Sequence, residues 1–213
     1  MNLPSYSAAA ALFRTACVSM GAKVGQSAGA AISFTPDGIG IMLTLRDGGV
    51  YERWQILAYI LAAADEETVA LPSDAPLAAE RFIAARGKRV VRGGKNLPPC
   101  VYCGGIAAAA LLRGSVRQNR DLADISKDIP VFSVKCETVE FPAAEKAART
   151  GELCREFGTD TPLFTDKRGT VRMIPDSPRG FRIIAEAASS EYAAELCEFA
   201  KGMITSPPSA PNP

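Results

Sequence analysis

Apolar residues recur at helical spacing through the alanine-rich run Ser7 to Met20, and Gly21 follows as a stop signal, which predicts a first helix. Small residues from Gly25 to Ala30 then give way to Ala31-Ile32-Ser33-Phe34, to turn chemistry at Thr35-Pro36-Asp37-Gly38, and to the apolar run Ile39 to Leu45. With a second turn at Asp47-Gly48-Gly49, this predicts a β-hairpin. The spacing then predicts a helix over Trp54–Ala64, a strand over Thr68–Leu71, a helix over Ala75–Arg86 closed by Gly87, and a strand over Lys88–Arg92. Helix and strand alternate as in a small α/β layer domain.

Leu97-Pro98-Pro99 ends that unit. A helix from Gly105 to Arg113, a polar connection and a short helix Asp121–Lys127 follow, and Ile129-Pro130 marks a domain boundary. Beyond it, Phe132–Phe141 alternates like a strand, Pro142 opens a helix running to Phe157, and strands are expected at Pro162–Thr165, Val171–Ile174 and Phe181–Ala187. An amphipathic helix over Glu191–Met203 closes a β-α-β-β-β-α pattern. The fold class expected is therefore α/β followed by α+β. The segments are 1–49 (helix and hairpin), 50–128 (α/β), 129–204 (C-terminal domain) and a Pro/Ser-rich, disordered tail at 205–213.

Composition narrows the chemistry. The 213 residues are 47% hydrophobic and 22% charged, in the range of globular chains. There is no histidine, which removes Ser-His-Asp, Cys-His and His-ligated metal mechanisms. Lys and Arg number 24 against 23 Asp and Glu, a balance that argues against a nucleic-acid or membrane-surface partner. Apolar stretches such as Ile56–Ala64 fall short of the roughly 18–20 residues of a membrane span. The N-terminal run lacks a basic region and is broken by Arg14, so a cytoplasmic location is expected. Six scattered cysteines predict reduced, mostly buried thiols, not a disulfide framework.

Three places invite a chemical reading. Cys100-Val101-Tyr102-Cys103 has the spacing of half a zinc site or a redox pair, but no second such motif and no histidine accompany it, so two semi-buried thiols are expected. Arg86-Gly87-Lys88-Arg89 and Arg92-Gly93-Gly94-Lys95 have the cations and glycines to hold a phosphate, although a helix C-cap and solvated edge charges are the preferred reading. Most informative is Val171 to Glu191: a strand, a Pro/Ser/Gly turn flanked by cations, and a second strand. There Ser177, Arg179 and Arg182 are candidates to grip a phosphate. By itself the same stretch is equally an ordinary hairpin.

The stretch resembles the C-terminal domain of the α-D-phosphohexomutases, the phosphomannomutases and phosphoglucomutases, where a strand enters an Arg-Pro-Ser-Gly-Thr-Glu-Pro phosphate loop and leaves through a strand ending in a Glu-Ala-like pair. Ile184-Ala185-Glu186-Ala187 and the helix after Ser190 are similar to that exit. Ile129-Pro130-Val131-Phe132 through Val139, with Pro142 and its helix, resembles the way into the same domain. Gly105-Ile106, the Ala107–Leu112 helix and Leu122-Ala123-Asp124-Ile125 resemble the end of the family's third domain. Phe34-Thr35-Pro36-Asp37-Gly38, the hairpin and the Trp54 helix resemble the junction of its second and third domains. The likeness spans most of residues 5–204 and is nearest to the mutase-like region fused to bacterial mannose-1-phosphate nucleotidyltransferases.

The resemblance implies third- and fourth-domain folds, a hexose phosphate ligand, and a phosphate site at Ser177, Arg179 and Arg182. The family's catalytic loops are another matter. Its phosphoserine loop has no counterpart in these residues, and its Asp-x-Asp-x-Asp-Arg magnesium loop falls on Thr35, Asp37, Ile39 and Gly40, with one carboxylate in place of three. Its sugar loop would fall between Gly93 and Gly104, where no glutamate, serine or histidine stands. In the phosphate loop Pro175, Ser177 and Arg182 match, while Asp176 and Pro178 depart, and an aspartate repels a phosphate. The expectation is a degenerate, mutase-like protein without a catalytic residue, metal or other cofactor, which serves as a structural, regulatory or weak sugar-phosphate-binding module. The alternatives are part of an active mutase, or of a bifunctional nucleotidyltransferase–mutase, completed by a partner chain, and an unrelated interaction function on the same fold. Helix and hairpin faces that cover other domains in the family also imply a homo-oligomer.

Overall fold

The computed structural model describes residues 8–21, 29–93, 96–176 and 180–206. Two compact units divide the chain, Met1–Val131 and Phe132–Pro213.

In the first unit, helix α1 (Ala8–Ser19) precedes an antiparallel sheet of β1 (Ala30–Phe34), β2 (Ile41–Leu45) and β3 (Val50–Glu52). Alternation along β2 buries Ile41, Leu43 and Leu45 and leaves Met42 exposed. Helix α2 (Arg53–Ala62) starts from a capping box in which the Glu52 backbone N–H donates to Gln55 Oε1 at 2.7 Å. Strand β4 (Thr68–Leu71), helix α3 (Leu77–Ala84) and β5 (Arg89–Arg92) form a parallel βαβ unit. A 3-10 turn at Pro99–Val101 leads into α4 (Gly104–Gln118), and α5 (Leu122–Ser126) is capped by the Asp121 carboxylate. Leu43, Ile56, Leu57, Leu71, Ile83, Leu111 and Ile125 fill one core.

The start of α4 is wedged. A Cβ on Gly105 would stand 2.4 Å from the Ala9 carbonyl oxygen of α1, so glycine is what allows the two helices their close approach.

The second unit runs β6 (Ser133–Glu140), α6 (Ala143–Phe157), β7 (Leu163–Thr165), β8 (Gly169–Asp176), β9 (Gly180–Ala187) and α7 (Ser190–Thr205). The order of elements is the expected β-α-β-β-β-α, folded as an antiparallel sheet in the order β6-β9-β8-β7. Phe181, Ile183 and Ala185 of β9 join Val171 and Met173 of β8 in a core with Leu153 of α6 and Leu196, Cys197, Ala200 and Ile204 of α7. Arg182, between two of these inward residues, projects from the opposite face.

The structure departs from expectation in four places. The hairpin is a three-stranded sheet, because Val50–Glu52 pairs with β2 before the chain turns helical. Ile39 and Gly40 belong to the turn and not to β2, since their backbone N–H groups are taken by the Asp37 and Thr35 side chains. Helix α4 continues to Gln118 through the segment read as a polar connection, whose polar groups make tertiary contacts: Arg117 pairs with Asp65 at 3.3 Å, and Gln118 donates to the Tyr59 hydroxyl at 3.2 Å. Thr205 closes α7 instead of opening a tail, and residues 207–213 lie outside the described residues.

Candidate functional site

At the expected phosphate site, β8 ends at Asp176 and β9 begins at Gly180, paired with each other across the ladder. Gly180 has φ +123°, and a Cβ there would stand 2.1 Å from the Val139 carbonyl oxygen, so only glycine brings β9 hard against β6 at this point. Two residues on, Arg182 lies diagonal to Asp176 on the same face, within reach of a long side chain. Its Nη2 stands 3.1 Å from Asp176 Oδ2. From α6, Lys146 Nζ donates to the backbone carbonyl of Asp176 at 2.8 Å. Two cations from different elements therefore converge on one residue at the base of the loop. Of the three expected phosphate ligands, Arg182 is placed here, and Ser177 and Arg179 lie outside the described residues.

Lys146 escaped sequence reading because nothing distinguishes it from any other cation on an amphipathic helix. The sequence shows Asp176 beside the loop but not its role, because its pairing with Arg182 depends on the register of β8 against β9.

Asp37 is held inside its own turn. Its Oδ1 accepts from the Thr35 hydroxyl at 2.5 Å and from the Ile39 backbone N–H at 3.0 Å, while the Gly40 N–H donates to Thr35 Oγ1 at 2.7 Å. The Thr35 hydroxyl, with the Ile39 N–H second, holds the Asp37 carboxyl below the usual carboxylate range. Among the described residues, no group of three or more Cys, Asp or Glu side chains is placed to share a metal ion.

Cys100 is buried in the 3-10 turn, and burial pushes its thiol up to about 11, the opposite of what an attacking thiolate needs. Cys103 caps α4 with extended backbone, and both thiols are free. The basic patch is tied into the fold. Arg92 Nε pairs with Glu80 at 2.5 Å and its Nη1 donates to the Ala75 carbonyl at 2.8 Å, while Lys88 donates to the Ala64 and Glu66 carbonyls. The Arg86 guanidinium lies over the Phe82 ring at 3.6 Å. Gly94 and Lys95 lie outside the described residues.

No protein-family model matches the chain, and no curated protein matches it in sequence. Solved structures do. A phosphoglucomutase/phosphomannomutase family protein from Burkholderia thailandensis is similar over 88% of this chain and 49% of its own, at 14% identity and TM-score 0.54. The N-acetylphosphoglucosamine mutase of Aspergillus fumigatus, solved with GlcNAc-6P and magnesium, is similar over 91% of this chain and 56% of its own, at 11% identity and TM-score 0.51. An N-acetylglucosamine-phosphate mutase of the α-D-phosphohexomutase superfamily, solved in its substrate complex, is similar over 86% and 51%, at 10% identity and TM-score 0.52. The chain thus spans about half the length of these structures, and at these identities the likeness is one of fold: a mixed α/β phosphohexomutase architecture, as expected from the sequence.

Proposed function

We propose that this chain is a phosphohexomutase-like module that binds the phosphate of a hexose phosphate at the β8–β9 loop and does not itself transfer a phosphoryl group. The observation that carries the reading is the placement of Arg182, with Lys146, at the base of that loop. In water-exposed surroundings, charge-assisted contacts from guanidinium and ammonium are the strongest available to a phosphate. The fold neighbours whose names specify a ligand or reaction are mutases of sugar phosphates, and one of them holds GlcNAc-6P.

Donor chemistry is what speaks against phosphoryl transfer. A magnesium ion needs several hard oxygen ligands in near-octahedral array. At the positions resembling the family's metal loop there is one carboxylate, Asp37, and it already accepts two hydrogen bonds from its own turn. That donor set does not suit the ion, and no step of the proposed function runs through it.

A second reading has one observation in its favour. Because the chain spans about half of its structural neighbours, a partner chain that supplies the remaining loops would make it part of a working mutase.

Thermal unfolding tests the first reading. Mannose 6-phosphate or glucose 6-phosphate at millimolar concentration is expected to raise the melting temperature of the wild type by mass action, and to leave that of Arg182→Ala unmoved. An equal rise in both proteins removes Arg182 from the site. No rise in either removes the site.

A further inference from the structure

The ion pair at the base of the loop has the geometry of an internal competitor. Asp176 and Arg182 sit diagonally across β8 and β9, and their side chains are 31% and 42% exposed, so solvent and solutes reach the contact. Nη2 meets Oδ2 at 3.1 Å, an approach by one carboxylate oxygen. A phosphate offers the guanidinium two oxygens and up to two negative charges, the bidentate geometry that arginine binds best. Lys146 fixes the backbone of the competitor, since its Nζ holds the Asp176 carbonyl at 2.8 Å from α6. The carboxylate can therefore leave Arg182 by turning its own side chain while the end of β8 stays in place.

We propose that the Asp176 carboxylate is a built-in anion that holds Arg182 until a phosphate displaces it, and so sets the affinity of the site for phosphorylated ligands. This rests on the phosphate-binding reading above and adds its regulation. The competitor weakens binding of every anion that needs Arg182 by the same factor, set by the fraction of molecules in which the carboxylate has left the guanidinium. Removing it is expected to tighten binding by up to about fivefold, the upper end of what a half-exposed, solvent-screened pair is worth.

Calorimetric titration of glucose 6-phosphate, and separately of inorganic phosphate, into the full chain tests this with four proteins: wild type, Asp176→Asn, Arg182→Ala and the double variant D176N/R182A. Unliganded melting curves establish that each is folded. The expected result is tighter binding by D176N than by wild type, with the gain lost in the double variant. Binding by the wild type that depends on Arg182 but is no tighter in D176N overturns the competitor and leaves the phosphate site standing. A gain that survives in the double variant also overturns it, because the aspartate would then act by general repulsion and not by occupying Arg182. No binding by either wild type or D176N overturns the site and the competitor together.

Discussion

At the level of single residues, the same side-chain chemistry serves different ends at different positions. Asp176 and Asp37 both follow proline-containing segments, and both carboxylates accept local partners. Asp37 is spent on shape: with Thr35 it takes the N–H groups of the turn into β2, the usual role of an aspartate in an Asx turn. Its folded pKa lies below the unfolded value, so its ionised form contributes stability that is complete above about pH 4 and is lost as pH falls through the folded value. Asp37→Asn is therefore expected to melt below the wild type near pH 7, with the two curves converging toward pH 2–3, a window set by the ordinary carboxylate value of about 4. A gap in melting temperature that stays constant between pH 7 and pH 2.5 contradicts that assignment of Asp37.

At the level of elements, α6 and α7 are tied to each other by Arg149. This residue of α6 is only 8% exposed; its guanidinium pairs with Glu152 at 2.7 Å and donates to the Met203 carbonyl near the end of α7. A cation on the last carbonyls of a helix satisfies acceptors that have no partner within it. Arg149→Ala is expected to destabilise the second unit by about 2 kcal/mol, the scale of a charge-assisted hydrogen bond together with lost packing. Denaturant titration reads this as a lower midpoint, and a loss under about 0.5 kcal/mol, that of an ordinary surface change, contradicts the tie.

Elements that announce themselves by local pattern were legible in the sequence. Strand β4 stands where Thr68–Leu71 predicts it, and the four strands and closing helix of the second unit stand where the sequence pattern predicts them. What was not legible depends on partners distant in sequence. Strand β3 is too short for a period and exists by pairing with β2, and the last turns of α4 are held by Asp65 and Tyr59. The order β6-β9-β8-β7 brings Lys146, Asp176 and Arg182 together across 36 residues of sequence, so Arg182 was readable as a candidate while its two neighbours were not.

At the level of the whole molecule, two separate cores organise two units, and the expected chemistry concentrates in the second. Among the described residues no helix is long and apolar enough to cross a membrane. The fold is similar to about half of a phosphoglucomutase/phosphomannomutase family structure, while the one carboxylate at the position resembling the family's metal loop is consumed by a turn. The proposed binding without phosphoryl transfer is tested in both its parts by phosphorus NMR of glucose 1-phosphate and glucose 6-phosphate incubated with the purified chain and magnesium. The predicted result is a broadened or shifted phosphate resonance with the wild type, its recovery with Arg182→Ala, and no growth of the other isomer over hours. Interconversion of the two phosphates by the chain alone, or a resonance that the wild type leaves untouched, contradicts it.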